Sequence, residues 1–212
     1  MYFSRSNWIG YGLVRFVACA LVRPYFRLRL IGREYLEPGP VIVAPNHCSY
    51  LDPVVLQTAI ARQRLVFLMD KAWYDRPLLN PFFRLMKCIP VDEDARNRSA
   101  LEQALITLRQ GVSVGIYPEG QVNPEGVLGK FSPGVASLAL RAGVPIVPAG
   151  ITGTGRALPK KHRFPRPVRV TVRLGPALHP LRGEAAQGMS KRAVMDDLTA
   201  RLTRAVEGLT RG

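Results

Sequence analysis

The chain has 212 residues, enough for one domain with a full hydrophobic core and too few for two of ordinary size. Its three cysteines are odd in number and form no Cys-x-x-Cys, which suits reduced thiols in a cytosol and argues against a disulfide framework or a zinc site. Lysine and arginine total 30 against 15 acids, a net charge of +15, so phosphate-rich partners are favoured: an anionic membrane, phosphorylated substrates or nucleic acid.

The first 26 residues carry no cleavable signal pattern. Their apolar run, residues 7–22, is interrupted by Arg15 and is too short beyond it to span a bilayer. Aromatics (Tyr2, Phe3, Trp8, Tyr11, Phe16, Tyr25, Phe26) interleave with arginines (Arg5, Arg15, Arg23, Arg27, Arg29). That mixture predicts a helix lying in a membrane interface, its apolar side among acyl chains and its arginines at headgroups. A helix packed on the domain is the alternative. The expected boundary is residues 1–26 as an interfacial segment and 27–212 as the main domain.

Short apolar runs follow in strand-like form: Arg27–Ile31, Val41–Ala44, Leu65–Met69 and Cys88–Val91. A proline-punctuated helical stretch lies around 77–86. Residues 99–110 read as a helix, with Leu101, Ala104, Leu105 and Leu108 at helical spacing and Gly111 ending the run. Val112–Tyr117 is the next strand, then a short helix at 134–142 and an apolar strand at Val144–Ile151. Val168, Val170, Val172 and Leu174 alternate with polar residues, as in a half-exposed strand. An amphipathic helix through Val194, Leu198, Leu202, Ala205 and Leu209 closes the chain. Strands alternating with helices predict an α/β fold whose central sheet is largely parallel and flanked by helices. In such sheets, chemistry gathers at the carboxyl ends of strands.

Two segments sit at such ends. Asn46-His47 follows Val41–Ala44 and leads to Asp52-Pro53; Glu119-Gly120 follows Val112–Tyr117. Neutral imidazole is suited to taking a proton from an alcohol near pH 7, and a carboxylate on its other nitrogen would fix the tautomer. Residues five apart do not share a helix face. His47 must therefore lie in a turn before a helix that starts at Asp52-Pro53, so that Asp52 can reach back. The same residues also read as a capping Asp and a satisfied His. Cys48, beside His47, is a weaker candidate nucleophile, because neighbouring side chains point apart. His162 and His179 read as surface residues, and Gly153-Thr154-Gly155 as a turn rather than a dinucleotide site. No nucleophile elbow, zinc-protease helix or P-loop occurs.

The ordered set VIVAPNHCSYLDP, then about seventy residues later YPEG and FSPG, then AGVPIVPAGITG, resembles the glycerolipid acyltransferase family. The resemblance spans about residues 28–180. It implies that His47 is the general base and Asp52 its partner, and that Glu119 and Gly120 of the aromatic-Pro-Glu-Gly block help bind the acyl acceptor. Val144, Pro145, Val147 and Pro148 of the Val-Pro-x-Val-Pro strand would line the donor side. Acyl groups would arrive on coenzyme A or acyl carrier protein, the acceptor would be a lysophospholipid, by default 1-acylglycerol 3-phosphate, and no cofactor or metal is implied. The enzyme would work at the cytoplasmic face of the cell membrane.

Three positions depart from the family pattern. Glu93, Val122 and Ser132 stand where cations usually flank the acceptor's phosphate. A phosphate without charge-assisted donors is poorly held, so either Lys71, Lys130, Arg96, Arg98 or Arg156 supplies the charge or the acceptor is a glycolipid or lyso-aminolipid without a phosphomonoester. A non-enzymatic basic module stays open as a different class. Nucleic acid is not the expected partner, because single-strand binders interleave aromatics with bases, whereas the acid-free stretch between Glu125 and Glu184 holds only Phe131 and Phe164.

Overall fold

The computed structural model describes residues 7–61, 63–92, 98–123, 125–159, 162, 164–181 and 188–211. Tyr2, Phe3, Arg5, Glu93, Arg96, Lys160, Lys161, Arg163 and Arg182 lie outside the described residues, as do the side chains of Trp8 and Arg98.

Seven strands form one sheet: β1 (Arg29–Ile31), β2 (Ile42–Pro45), β3 (Leu65–Asp70), β4 (Ile89–Val91), β5 (Ser113–Gly115), β6 (Ile146–Thr152) and β7 (Thr171–Leu174). Their spatial order is β1-β7-β6-β2-β5-β3-β4. Every neighbouring pair is parallel except β6 and β7. The expected largely parallel α/β architecture is what the chain adopts.

Strand side chains alternate between faces, and each face makes its own core. Ile42, Ala44, Val66, Val114 and Ile146 pack under helices α5 (Arg98–Arg109), α6 (Gly134–Ala142) and α8 (Lys191–Arg211). Val41, Val43, Leu65, Phe67, Val147 and Ala149 pack on the opposite face, against α2 (Asp52–Ala59) and Phe26. The end of α8 presses directly on β6: a Cβ at Gly150 would stand 2.7 Å from the Leu209 backbone, so only glycine fits there.

The connections run β2–α2–β3, through the short helices α3 (Lys71–Tyr74) and α4 (Asn80–Leu85) to β4, and back by α5 to β5, between β2 and β3. The chain then crosses by α6 to β6 on the other side of β2, and the short helix α7 (Thr154–Ala157) follows. Strand order therefore reverses around β2, and the carboxyl ends of β2 and β5 flank the resulting crevice. One expectation is adjusted. Residues 168–170 are not strand, because Gly153, at φ 97°, turns the chain away after Thr152 pairs with Thr171. The α3 helix is one turn, too short to leave a periodic signal, and is capped by Asp70 accepting from the Ala72 N–H at 2.6 Å.

Helix α1 (Asn7–Tyr25) lies across α2 with two unlike faces. Its inner face buries Tyr11, whose hydroxyl donates to Gln57 Oε1 at 2.9 Å. Among the arginines expected at headgroups, Arg15 and Arg23 bond to backbone carbonyls of the domain. Arg23 donates to the carbonyls of Thr58 and Ala59 at the end of α2, and Arg15 to that of Gln63. Carbonyls at a helix end have no partner inside the helix, so the guanidinium both satisfies them and meets the negative end of the dipole. The outward face carries Leu13, Phe16, Val17 and Leu21, at helical spacing and 45–71% exposed. Among the described residues, no helix is long and apolar enough to cross a membrane.

Candidate active site

At the end of β2 the chain makes a tight turn, Asn46 to Leu51, before α2 begins at Asp52 with Pro53 in its first turn. Proline is tolerated there because that N–H has no helical partner. The turn folds back on the first carboxylate of the helix. Asp52 Oδ2 accepts the backbone N–H of Cys48 and of Ser49, both at 2.8 Å, and lies 2.9 Å from His47 Nδ1. The Asp52 side chain is completely buried and that of His47 is 14% exposed. An oxygen already receiving two N–H groups acts as an acceptor, so Nδ1 carries the hydrogen and Nε2 is left with its lone pair. That is the tautomer a general base requires.

The imidazole ring is held in orientation as well as in protonation. Tyr117 stacks on it, with centroids 3.9 Å apart and planes 24° from parallel, and Phe67 lies beyond Tyr117. Burial holds the Tyr117 hydroxyl well above its usual pKa, with the Asp52 charge adding to the effect, so the phenol stays neutral. The preceding residue ties the strand end to its neighbour. Asn46 donates from Nδ2 to the Ile151 carbonyl at 3.0 Å and accepts the Ile151 N–H at Oδ1, 2.7 Å away. Sequence reading assigned Asn46 no role, since its partner is 105 residues distant.

Glu119 reaches the same place from β5. Its Oε1 accepts the His47 N–H at 2.7 Å, and its Oε2 accepts from Gly129 N and Asn123 Nδ2. Gly120 takes φ 72° in the turn after it and donates its N–H to the Tyr117 carbonyl. With the N–H groups of His47, Cys48 and Ser49 all given to carboxylates, none of these three is free to donate to an oxyanion formed beside the base.

The remaining expected residues lie further out. Lys71 begins α3 after β3, two strands from β2, and pairs with Asp92 at 3.5 Å on the surface. Lys130 is exposed and follows Gly129, the residue bonded to Glu119. Val122 is half-buried and Ser132 exposed, its N–H bonded to the Pro118 carbonyl. Val144 and Val147 are core side chains, and Val144 and Pro145 precede β6 at the end of the sheet away from His47. Direct contact with a donor would require Val144 and Val147 to leave the core, whereas Pro145 is half-buried.

Cys48 is buried, and its sulfur lies 3.2 Å from Thr154 Oγ1. Burial, with a contribution from the Asp52 charge, pushes its thiol up to about 11, so the thiolate is scarce at neutral pH and a nucleophilic role is disfavoured. Among the described residues no group of three His, Cys, Asp or Glu side chains could hold a metal. At pH 8, iodoacetamide should label the half-buried Cys19 of the folded protein before Cys48 or Cys88, whose thiol burial pushes up to about 12. Peptide mass spectrometry reads the order, and rapid modification of Cys48 would contradict this environment.

Comparison with known proteins places the chain in a family. The family model described as Acyltransferase matches residues 27–152, which include the whole of the His47–Asp52 turn and the Glu119 loop. A 1-acyl-sn-glycerol-3-phosphate acyltransferase of Chlamydomonas reinhardtii is 30% identical over 168 residues, covering 77% of this chain and 50% of that protein. The enzyme of that name from Pseudomonas aeruginosa is 27% identical over 206 residues, covering 92% of this chain and 72% of its own length. The chain spans about half the length or less of several plant and algal relatives it matches. In fold, it superposes on the crystal structure of the 1-acyl-sn-glycerophosphate acyltransferase of Thermotoga maritima with a TM-score of 0.71 at 22% identity, over 92% of this chain and 79% of that one. The chain is a member of the acyltransferase family.

Proposed function

We propose that the protein transfers a fatty acyl group from a thioester to the free hydroxyl of a lysophospholipid, with 1-acylglycerol 3-phosphate as acceptor and phosphatidate as product. The observation that carries the reading is the buried Asp52 carboxylate bonded to His47 Nδ1, which leaves Nε2 as the base. The names of the similar proteins support the acceptor. Nε2 removes the hydroxyl proton while the oxygen attacks the thioester carbonyl. Collapse of the tetrahedral intermediate breaks the C–S bond, and the imidazolium returns the proton to the departing thiolate of coenzyme A or acyl carrier protein. Asp52 stabilises the imidazolium between these steps. Lys130, which follows the Gly129 bonded to Glu119, is the cation we assign to the acceptor's phosphate.

An apolar groove of about 360 Å³ supports a long-chain substrate. It lies between α1 and α2, lined by Leu21, Val22, Tyr25, Phe26, Leu51, Val54, Val55 and Pro165, and Leu51 adjoins Asp52. The uncharged or acidic residues at positions 93, 122 and 132 favour a second reading, an acceptor without a phosphomonoester. Product analysis with acyl-CoA and a panel of lysophosphatidate, lyso-aminolipid and glycolipid acceptors separates the two.

His47→Ala should lower turnover by roughly 10²–10⁴-fold in a folded protein. Asp52→Asn should lower it by roughly 10²-fold or more, because the Asn amide would donate to Nδ1 and force the hydrogen onto Nε2. Near-normal turnover by folded His47→Ala would remove His47 from the mechanism.

We further propose that the protein docks peripherally on the cytoplasmic face of the cell membrane through the outward stripe of α1, drawn to anionic lipid by its net charge of +15. Deleting residues 1–26 would tear Tyr11 and Phe26 out of the core, so point changes are the cleaner test. Phe16→Asp with Leu21→Asp should abolish flotation with phosphatidylglycerol vesicles while leaving thermal stability near that of the parent. Undiminished flotation would place the contact elsewhere.

A further inference from the structure

The acyl-transfer reading makes His47 the base, and the inference drawn here rests on it. The peptide groups on either side of the His47 α-carbon are held by one loop. The His47 N–H donates to Glu119 Oε1 at 2.7 Å, and the His47 carbonyl accepts the Asn123 N–H at 2.7 Å. The two anchors are joined to each other, since Asn123 Nδ2 donates to Glu119 Oε2 at 2.5 Å. The Gly129 N–H reaches that same oxygen at 2.7 Å and closes the loop on itself. Space is tight enough that a Cβ at Gly129 would stand 2.7 Å from Asn123 Nδ2 and 2.9 Å from Glu119 Oε2.

We infer that Asn123 is a positioning residue for His47: with Glu119 it clamps the His47 backbone from both sides, and so sets where Nε2 points. Asp52 fixes the ring's tautomer and holds the far side of the following peptide through the Cys48 N–H, and Tyr117 sets the ring's tilt, while Glu119 and Asn123 hold the His47 N–H and carbonyl themselves. Both Glu119 oxygens accept the protein's own donors, so its carboxylate is the hub of this clamp. A carboxylate bonded to N–H groups makes strong, charge-assisted contacts, whereas a base displaced by a fraction of an ångström loses its alignment with the hydroxyl.

Asn123→Ala removes the bridge to Glu119 and keeps the backbone N–H. Its kcat should fall roughly tenfold with little change in acceptor KM, because the acceptor is not touched. Asn123→Asp is nearly isosteric but sets a second carboxylate against Glu119. Its deficit should be greatest at high pH, where both are ionised, and should shrink as the pH falls and one takes up a proton. A residue that merely stabilises the fold would not tilt the pH profile in this way. Hydrogen exchange at the His47 amide gives a readout free of activity, and its protection should drop in Asn123→Ala and in Gly129→Ala. If the wild-type protein fails to transfer acyl groups yet its His47 amide shows this pattern, the clamp stands and the functional reading falls. A raised acceptor KM with unchanged kcat in Asn123→Ala would make Asn123 a substrate contact and overturn the positioning role. Unchanged kcat, pH profile and amide exchange in both Asn123 variants would overturn the clamp.

Discussion

Everything at the site depends on one buried oxygen. Asp52 Oδ2 takes the N–H groups of Cys48 and Ser49 and bonds His47 Nδ1, so one atom shapes the turn and fixes the imidazole tautomer. A carboxylate withdrawn from water is costly unless its charge is met by donors. The turn offsets that cost at Oδ2 with two peptide groups and a ring N–H, while Oδ1 is buried with no hydrogen-bond partner among the described residues, and the amino end of α2 adds a helix dipole that favours a negative group. Removing Asp52 would therefore disturb both the backbone around His47 and the imidazole's proton placement.

The sheet delivers this turn to the right place. β2 lies between β5 and β6, and the crossover direction reverses around it, so the β2–α2 turn faces a crevice with the β5 loop beside it. That arrangement explains why chemistry on residues 72 positions apart converges: Glu119 leaves β5 and meets the His47 N–H directly. Asn46 completes the other side by pairing with both the N–H and the carbonyl of Ile151 on β6. The base is thus held from both neighbouring strands.

Much of this was legible in the chain. The apolar runs around Val41–Ala44 and Val144–Ile151, the helix at 99–110 and the helix start at Asp52-Pro53 all rest on local periodicity and turn chemistry, and the structure forms them. The requirement that His47 sit in the turn before the helix followed from the spacing of five, which no helix face can bring together. What was not legible depends on distant partners. Arg15 and Arg23 bond to carbonyls on and after α2, partners that the composition of the segment does not reveal. Likewise, nothing local marked Asn123 as a residue that bonds to His47, and the Val-Pro-x-Val-Pro strand looked like a binding surface although Val147 is core. Charge and aromatic composition describe what a segment can do, while tertiary hydrogen bonds decide what it does.

The central claim is that Asp52 holds His47 with its hydrogen on Nδ1, leaving Nε2 as the base. ¹⁵N NMR of the histidine-labelled protein at neutral pH reads that directly, with the His47→Gln variant assigning the signal. The account predicts a ring hydrogen on Nδ1, shifted far downfield by its bond to the carboxylate, and an unprotonated Nε2. A His47 ring carrying its hydrogen on Nε2, with Nδ1 bare, would contradict it.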